Sequence, residues 1–150
     1  MYHINRLFYV CLWISTLILP NTGHAAGVVP FVSCSVSTTS INFGTYWGDV
    51  ALNSTGSIKV TCTGTATTQV QLDKGQNVPT GFATRKMASG INTMSYNLYT
   101  SPTYVNVWGD GTNSSFTVTG KTMIVYGKIP AGQAVQSGTY NDTVLVTVIW

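Results

Sequence analysis

The final eleven residues, Tyr140-Asn-Asp-Thr-Val-Leu-Val-Thr-Val-Ile-Trp150, constrain this chain more than any other stretch. Val144, Val146, Val148 and Trp150 alternate with Leu145, Thr147 and Ile149, so an extended strand here is largely apolar on both faces. Successive side chains of a strand point to opposite faces, and a strand apolar on both is one buried on two sides of a sheet or sandwich. The sequence ends at Trp150, with nothing after it to cover that strand. A long, flat, hydrophobic strand at an edge is a template for pairing with another chain. The expectation is therefore an incomplete β-sandwich that partners complete.

The other end reads as a targeting segment. Met1–Arg6 carries one basic residue, an apolar run follows from Leu7 to Leu19, and Pro20 closes it. Gly23-His24-Ala25 offers small residues at a cleavage site, so residues 1–25 are expected to be a signal peptide cut after Ala25, or after Ala26. The apolar run is short for a membrane span and no second one follows, which implies an exported protein with no membrane insertion. Residues 26–150 make about 125 residues, enough for a single domain with its own core.

Removing the leader removes Cys11, His3 and His24. Cys34 and Cys62 then form an even pair in an oxidising compartment, where a disulfide is the default. In Ser57-Ile-Lys-Val-Thr-Cys-Thr63 the alternation turns Ile58, Val60 and Cys62 inward, which makes a bridge to the first strand geometrically sensible. What remains holds no histidine and no glutamate; six lysines and arginines stand against Asp49, Asp73, Asp110 and Asp142. An excess of two scattered positive charges is no nucleic-acid footprint. Catalysis at neutral pH usually recruits a histidine or a tuned carboxylate, and a nucleophile needs a base beside it. None of these is evident, so no catalytic residue, no metal ligand and no cofactor is expected.

Turn residues recur every 8–12 positions and no apolar 3.6-residue period appears, which is the pattern of an all-β sandwich or barrel. Strands are expected near 29–37, 41–46, 57–63, 69–73, 93–99, 104–108, 115–119, 122–129 and 142–150. Asp73-Lys-Gly75 and Asp110-Gly111 read as turns, and Pro130 ends a strand because it cannot donate to a ladder. Arg85-Lys86 reads as a solvated pair in a loop, with steering of anionic ligands as the sharper alternative. Tyr140 reads as the anchor of a tyrosine corner. Of Tyr46 and Trp47, alternation sends one ring to the core and the other outward; Tyr104 and Trp108 are further candidates for exposure.

Seven segments then carry a family signature in order: Asn42-Phe-Gly-Thr-Tyr46, Ile58-Lys-Val-Thr-Cys62, Arg85-Lys-Met87, Ser95-Tyr-Asn-Leu-Tyr99, Val107-Trp-Gly-Asp-Gly111, Val125-Tyr-Gly-Lys-Ile-Pro-Ala-Gly-Gln133 and Gly138-Thr-Tyr-Asn-Asp-Thr143. Together they closely resemble the spore coat protein U domain, the family that includes the Csu-type pilins of archaic chaperone–usher fimbriae. The resemblance runs from about Cys34 to Trp150. It implies an immunoglobulin-like β-sandwich lacking its last strand, with one disulfide. A periplasmic pilus chaperone would lend a strand to the open groove, and at the outer-membrane usher the N-terminal extension of a neighbouring pilin subunit would replace it.

On that resemblance the chain is a secreted structural subunit of a surface fimbrium serving adhesion and biofilm formation. The alternatives are a spore-coat or cell-envelope protein exported by the same route, or a self-complemented secreted binding domain. The expected groove residues are Val144, Val146, Val148 and Trp150, with Cys34–Cys62 clamping the first strand. Val28, Val29, Phe31 and Val32 are the candidate donor strand. That segment is short for a pilin of this kind and Pro30 removes a donor from its middle, which points to a subunit that accepts a strand better than it gives one, at or near a tip.

Overall fold

The computed structural model describes residues 2–3, 32–64, 66–77, 81–112 and 117–150. Ten strands run in chain order: β1 (Tyr2–His3), β2 (Cys34–Thr39), β3 (Asn42–Gly44), β4 (Leu52–Cys62), β5 (Gln69–Leu72), β6 (Arg85–Ser89), β7 (Asn92–Tyr99), β8 (Val118–Thr119), β9 (Thr122–Ile129) and β10 (Val146–Ile149). No helix occurs among the described residues. The main sheet has the order β2-β4-β9-β7-β6 and a smaller one the order β10-β5-β8, with every pairing antiparallel. The short β1 pairs with β3 through Tyr2↔Gly44 and His3↔Asn42.

Alternation decides what lies between the sheets. Ile58 and Val60 of β4, Met123, Val125 and Ile129 of β9, Met94, Tyr96 and Leu98 of β7, and Met87 of β6 all turn inward. They meet Val70 and Leu72 of β5 together with Phe43, Trp108 and Tyr140. At Gly127 the inward position is left without a side chain, and a Cβ there would come within 2.6 Å of the Phe43 ring. The missing side chain is what lets β3 close over β9.

The Tyr46 and Trp47 reading is met: Tyr46 is buried and Trp47 is 84% exposed. The Tyr46 hydroxyl donates to the carbonyl of Pro130 at 2.9 Å and accepts from the Gln133 amide at 3.0 Å, tying residues 45–51 to the loop after β9. That loop begins where Pro130 was expected to stop a strand, since β9 ends at Ile129.

Four expectations need correction. β4 starts at Leu52, not near Ser57, because Asn53, Ser54, Thr55 and Gly56 pair in register with Lys128, Gly127, Tyr126 and Val125. Turn-forming residues lie in a strand here because the neighbouring ladder supplies their hydrogen bonds. Residues 104–108 form no strand; Tyr104 has φ 54, and the segment meets the sheet through the isolated bridge Tyr99↔Val107 and the Trp108 amide on the Leu98 carbonyl at 2.9 Å. Trp108 is fully buried, its indole N–H donating to the carbonyl of Val70 at 3.0 Å. Arg85-Lys86 does not sit in a loop but opens β6, which pairs with β7 from Arg85↔Tyr96 to Ser89↔Asn92.

Candidate functional site

Strand β10 pairs with β5 on one side, through Val146↔Leu72, Thr147↔Gln71, Val148↔Val70 and Ile149↔Gln69. It is the edge of its sheet, as β2 is the edge of the other. The opposing residues Val70 and Leu72 are buried, yet Val144, Val146 and Val148 pack on the core while remaining only partly covered. Cys34 and Val36 on β2 share this condition. Inward-facing apolar side chains at two sheet edges are therefore half-covered, although Ile58 and Val60 of β4, Met123 and Val125 of β9 and Met94 and Leu98 of β7 are closed. Of the expected groove residues, Val144 precedes the ladder and Trp150 follows it, 42% exposed.

Cys34 lies opposite Cys62 in the β2–β4 register and is joined to it by a disulfide. Just before it, the Ser33 amide donates to the Thr63 hydroxyl at 3.0 Å, and the Thr63 amide donates to the Ser33 carbonyl at 2.8 Å. Val32 is thus half-buried beside a segment already engaged with the end of β4. Val28, Val29 and Phe31 lie outside the described residues.

The approach to β10 is held by polar groups. The Tyr140 hydroxyl donates to the Gln136 carbonyl at 2.8 Å, the bond that defines a tyrosine corner, and the Asn141 and Ala88 backbones exchange two hydrogen bonds of 2.9 Å. Asp142 then turns inward: one carboxylate oxygen accepts from the amides of Gln76 and Thr143 and from the Asn77 side chain, each at 2.9 Å, and the other accepts from the Tyr96 hydroxyl at 2.6 Å. Asp73 accepts from the amides of Gly75 and Leu145, both at 2.9 Å. Gly75 has φ +85 and packs directly on the Asp142 carboxylate, so no side chain fits there.

Arg85 lies beside this cluster, fully buried. Its guanidinium donates twice to the Asp73 carbonyl, at 3.0 and 2.6 Å, once to the Trp108 carbonyl at 2.7 Å and once to the Asn97 side chain at 2.7 Å. One cation thereby fixes the end of β5, Asn97 of β7 and the segment at Trp108. Burial draws the Arg85 pKa down, while Tyr96, Asp73 and Asp142 oppose the shift. Burial also lifts Asp142 above the ordinary carboxylate value against its hydrogen bonds, and burial followed by the Asp142 charge holds Tyr96 well above the usual tyrosine range.

Sequence reasoning missed the role of Arg85 and of Asp142. Arg85 stands between Thr84 and Lys86 with no apolar alternation to mark a strand, and its partners lie at positions 73, 97 and 108. The one available signal was that Asp73 and Asp142, half of the aspartates, flank the strands that became β5 and β10.

This geometry defines a class: an all-β, immunoglobulin-like sandwich of a five-stranded and a smaller sheet, with one disulfide and half-covered apolar edges. Residues 25–147 match the Spore Coat Protein U domain, and the chain belongs to that family. It is 38% identical over 127 residues to Protein U of Myxococcus xanthus, covering 73% of this chain and 70% of that protein. Among solved structures it resembles a chain of the CsuC–CsuE chaperone–tip adhesion subunit pre-assembly complex from the archaic chaperone–usher Csu pili of Acinetobacter baumannii, at TM-score 0.58 and 24% identity. That likeness covers 80% of this chain but 40% of the other, and it is a likeness of fold. A weaker one is to HdaB, the minor tip subunit of the E. coli Hda pilus, at TM-score 0.45 and 16% identity, covering 75% of this chain and 80% of that one.

Proposed function

We propose that this chain is a structural, non-catalytic subunit of a chaperone–usher fimbrium, assembled by donor-strand complementation and serving surface adhesion and biofilm formation. The observation that carries this reading is the half-covered row Val144, Val146 and Val148, the last two on an edge strand where they lie opposite the buried Leu72 and Val70. A strand supplied from outside would satisfy the β10 edge and cover that row, so folding and assembly become one equilibrium. The fold shared with a subunit whose complex contains its chaperone supports the same picture. On this reading residues 1–25 are a signal peptide, a periplasmic chaperone lends the first strand, and an outer-membrane usher exchanges it for a neighbour's. The donor arm of this chain is short. With Ser33 clasped to Thr63, the arm ahead of it is the candidate donor Val28, Val29, Phe31 and Val32, a short one that favours a place at or near the tip.

The test is expression of residues 26–150 alone and with the chaperone. Aggregation alone with rescue by chaperone is the expected result; a monodisperse, closed monomer would overturn it. A second reading, a coat protein exported by the same route, is favoured by the relative Protein U. Immunogold labelling separates the two, since label on surface fibres supports the first and label confined to a coat layer supports the second.

A further inference from the structure

The outer face of the five-stranded sheet carries a cleft that the strand-acceptor reading does not use. It has a volume of about 280 Å³ and is lined by Ser95, Asn97 and Tyr99 of β7, Lys128 of β9 and residues 83–84, with no carboxylate among its lining residues. Lys86 donates to the Ser95 hydroxyl at 3.1 Å on the same face. Beneath Asn97 lies the buried guanidinium of Arg85, 2.7 Å from its side-chain oxygen and bonded otherwise to carbonyls. Three of the six cations in residues 26–150 therefore gather around one cleft. No ion pair is made by any of them among the described residues.

The rim beside it is aromatic. Tyr104 stands edge-on to Tyr99 at 5.5 Å and to Tyr126 at 6.5 Å, and the Lys128 ammonium lies 5.3 Å from the Tyr104 ring centre. Tyr104 is the one non-glycine residue with positive φ among the described residues, at φ 54. Its loop is closed by the Thr100 amide on the Asn106 carbonyl at 3.0 Å and by the Tyr104 amide on the Ser101 carbonyl at 3.2 Å. An aromatic residue in the left-handed region is strained and persists where surrounding contacts hold it, often at a ligand clamp.

We propose that the cleft lined by Tyr99 and Lys128, with Tyr104 on its rim, binds an acidic saccharide, a pyranose bearing a carboxylate. The rings supply stacking surface, Ser95, Thr84 and the tyrosine hydroxyls exchange hydrogen bonds with sugar hydroxyls, and Lys128 receives the carboxylate. The volume suits about one sugar ring, near the low end of small-molecule pockets at roughly 300 Å³. No arginine is among its lining residues, so no guanidinium fork is offered there, which weighs against a phosphate.

The disulfide-bonded protein, purified in complex with its chaperone and with the chaperone alone as control, is titrated by calorimetry with trigalacturonate and with neutral maltotriose. This readout does not depend on fimbrial assembly. Saturable binding of trigalacturonate alone is expected, weakened at least about tenfold, or ~1.4 kcal/mol, by Lys128→Gln. Tyr104→Gly, which removes the ring while tolerating the positive φ, should weaken it comparably. Lys121→Gln makes the same charge change on an exposed residue just before the opposite end of β9 and should leave affinity within about twofold. No binding of trigalacturonate, equal binding of maltotriose, or an equal loss with Lys121→Gln would each overturn the proposal.

Discussion

The approach to β10 and its free edge differ in what they leave undone. At the approach, Asp73, Asp142, Tyr96, Tyr140 and Arg85 satisfy one another and the intervening backbone wholly within the chain. Along the edge, Val144, Val146 and Val148 contact the core but stay partly open. Buried polar groups must find partners inside the fold, because each one left unsatisfied costs about 1–3 kcal/mol. Apolar groups at an edge can wait, since water tolerates them at a lower cost. A chain built this way can hold its terminal strand in position before anything completes it.

Five variants test that contrast, in falling order of their expected effect on stability. Arg85→Ala would orphan the carbonyls of Asp73 and Trp108 and the Asn97 side chain together, and should cost roughly 3–5 kcal/mol in chemical unfolding. A loss under about 1 kcal/mol would show that the closed region is not the stable one. Cys34→Ser with Cys62→Ser should cost about 3–4 kcal/mol on the chain-entropy view. Partner specificity should be unchanged in pull-downs, because the bridge lies between β2 and β4 and leaves β10 alone.

Tyr96→Phe removes one donor from Asp142 and should cost about 1–3 kcal/mol at neutral pH. It should also change the alkaline limb. Tyr96 is held neutral well above its ordinary value of 10.0, so its contribution is complete below that pH and declines as the pH rises through it, when the unfolded chain ionises first. Unfolding curves for Tyr96→Phe should therefore fall less steeply above that pH than those of the unmodified protein. Tyr140→Phe loses only the bond to Gln136 and should cost about 1 kcal/mol by thermal unfolding. Val146→Asp sharpens the contrast most. Facing an open edge, it should cost less than about 1 kcal/mol in chemical unfolding of chain kept dilute enough not to associate, yet abolish co-purification with a chaperone because the incoming strand would bury its charge. Normal capture of that variant would remove β10 from the acceptor site.

Most of the sheet was legible because alternation is a local property. Ile58 and Val60, Met94, Tyr96 and Leu98 face inward as their spacing requires, and the tyrosine corner at Tyr140 follows from its place before the last strand. The errors share a cause. β6 escaped notice because Arg85 occupies an inward position that local pattern reserves for apolar residues, and only groups distant in sequence make that burial tolerable. Residues 104–108 resemble a strand by composition, yet Trp108 is drawn to the carbonyl of Val70 and Tyr104 is turned out of extended geometry.

By itself, then, the sequence determined the all-β class, the two cysteines placed to meet and the apolar face of the terminal strand, since each depends on residues within a few positions or on alternation. Only the tertiary structure decided that Arg85 would be buried, that Asp73 and Asp142 would anchor the last strand, and that Tyr99, Tyr104 and Lys128 would gather on one face. Those outcomes depend on which strands become neighbours, and the pairing of β7 with both β6 and β9 is set by the energy of the whole sandwich, not by any one segment.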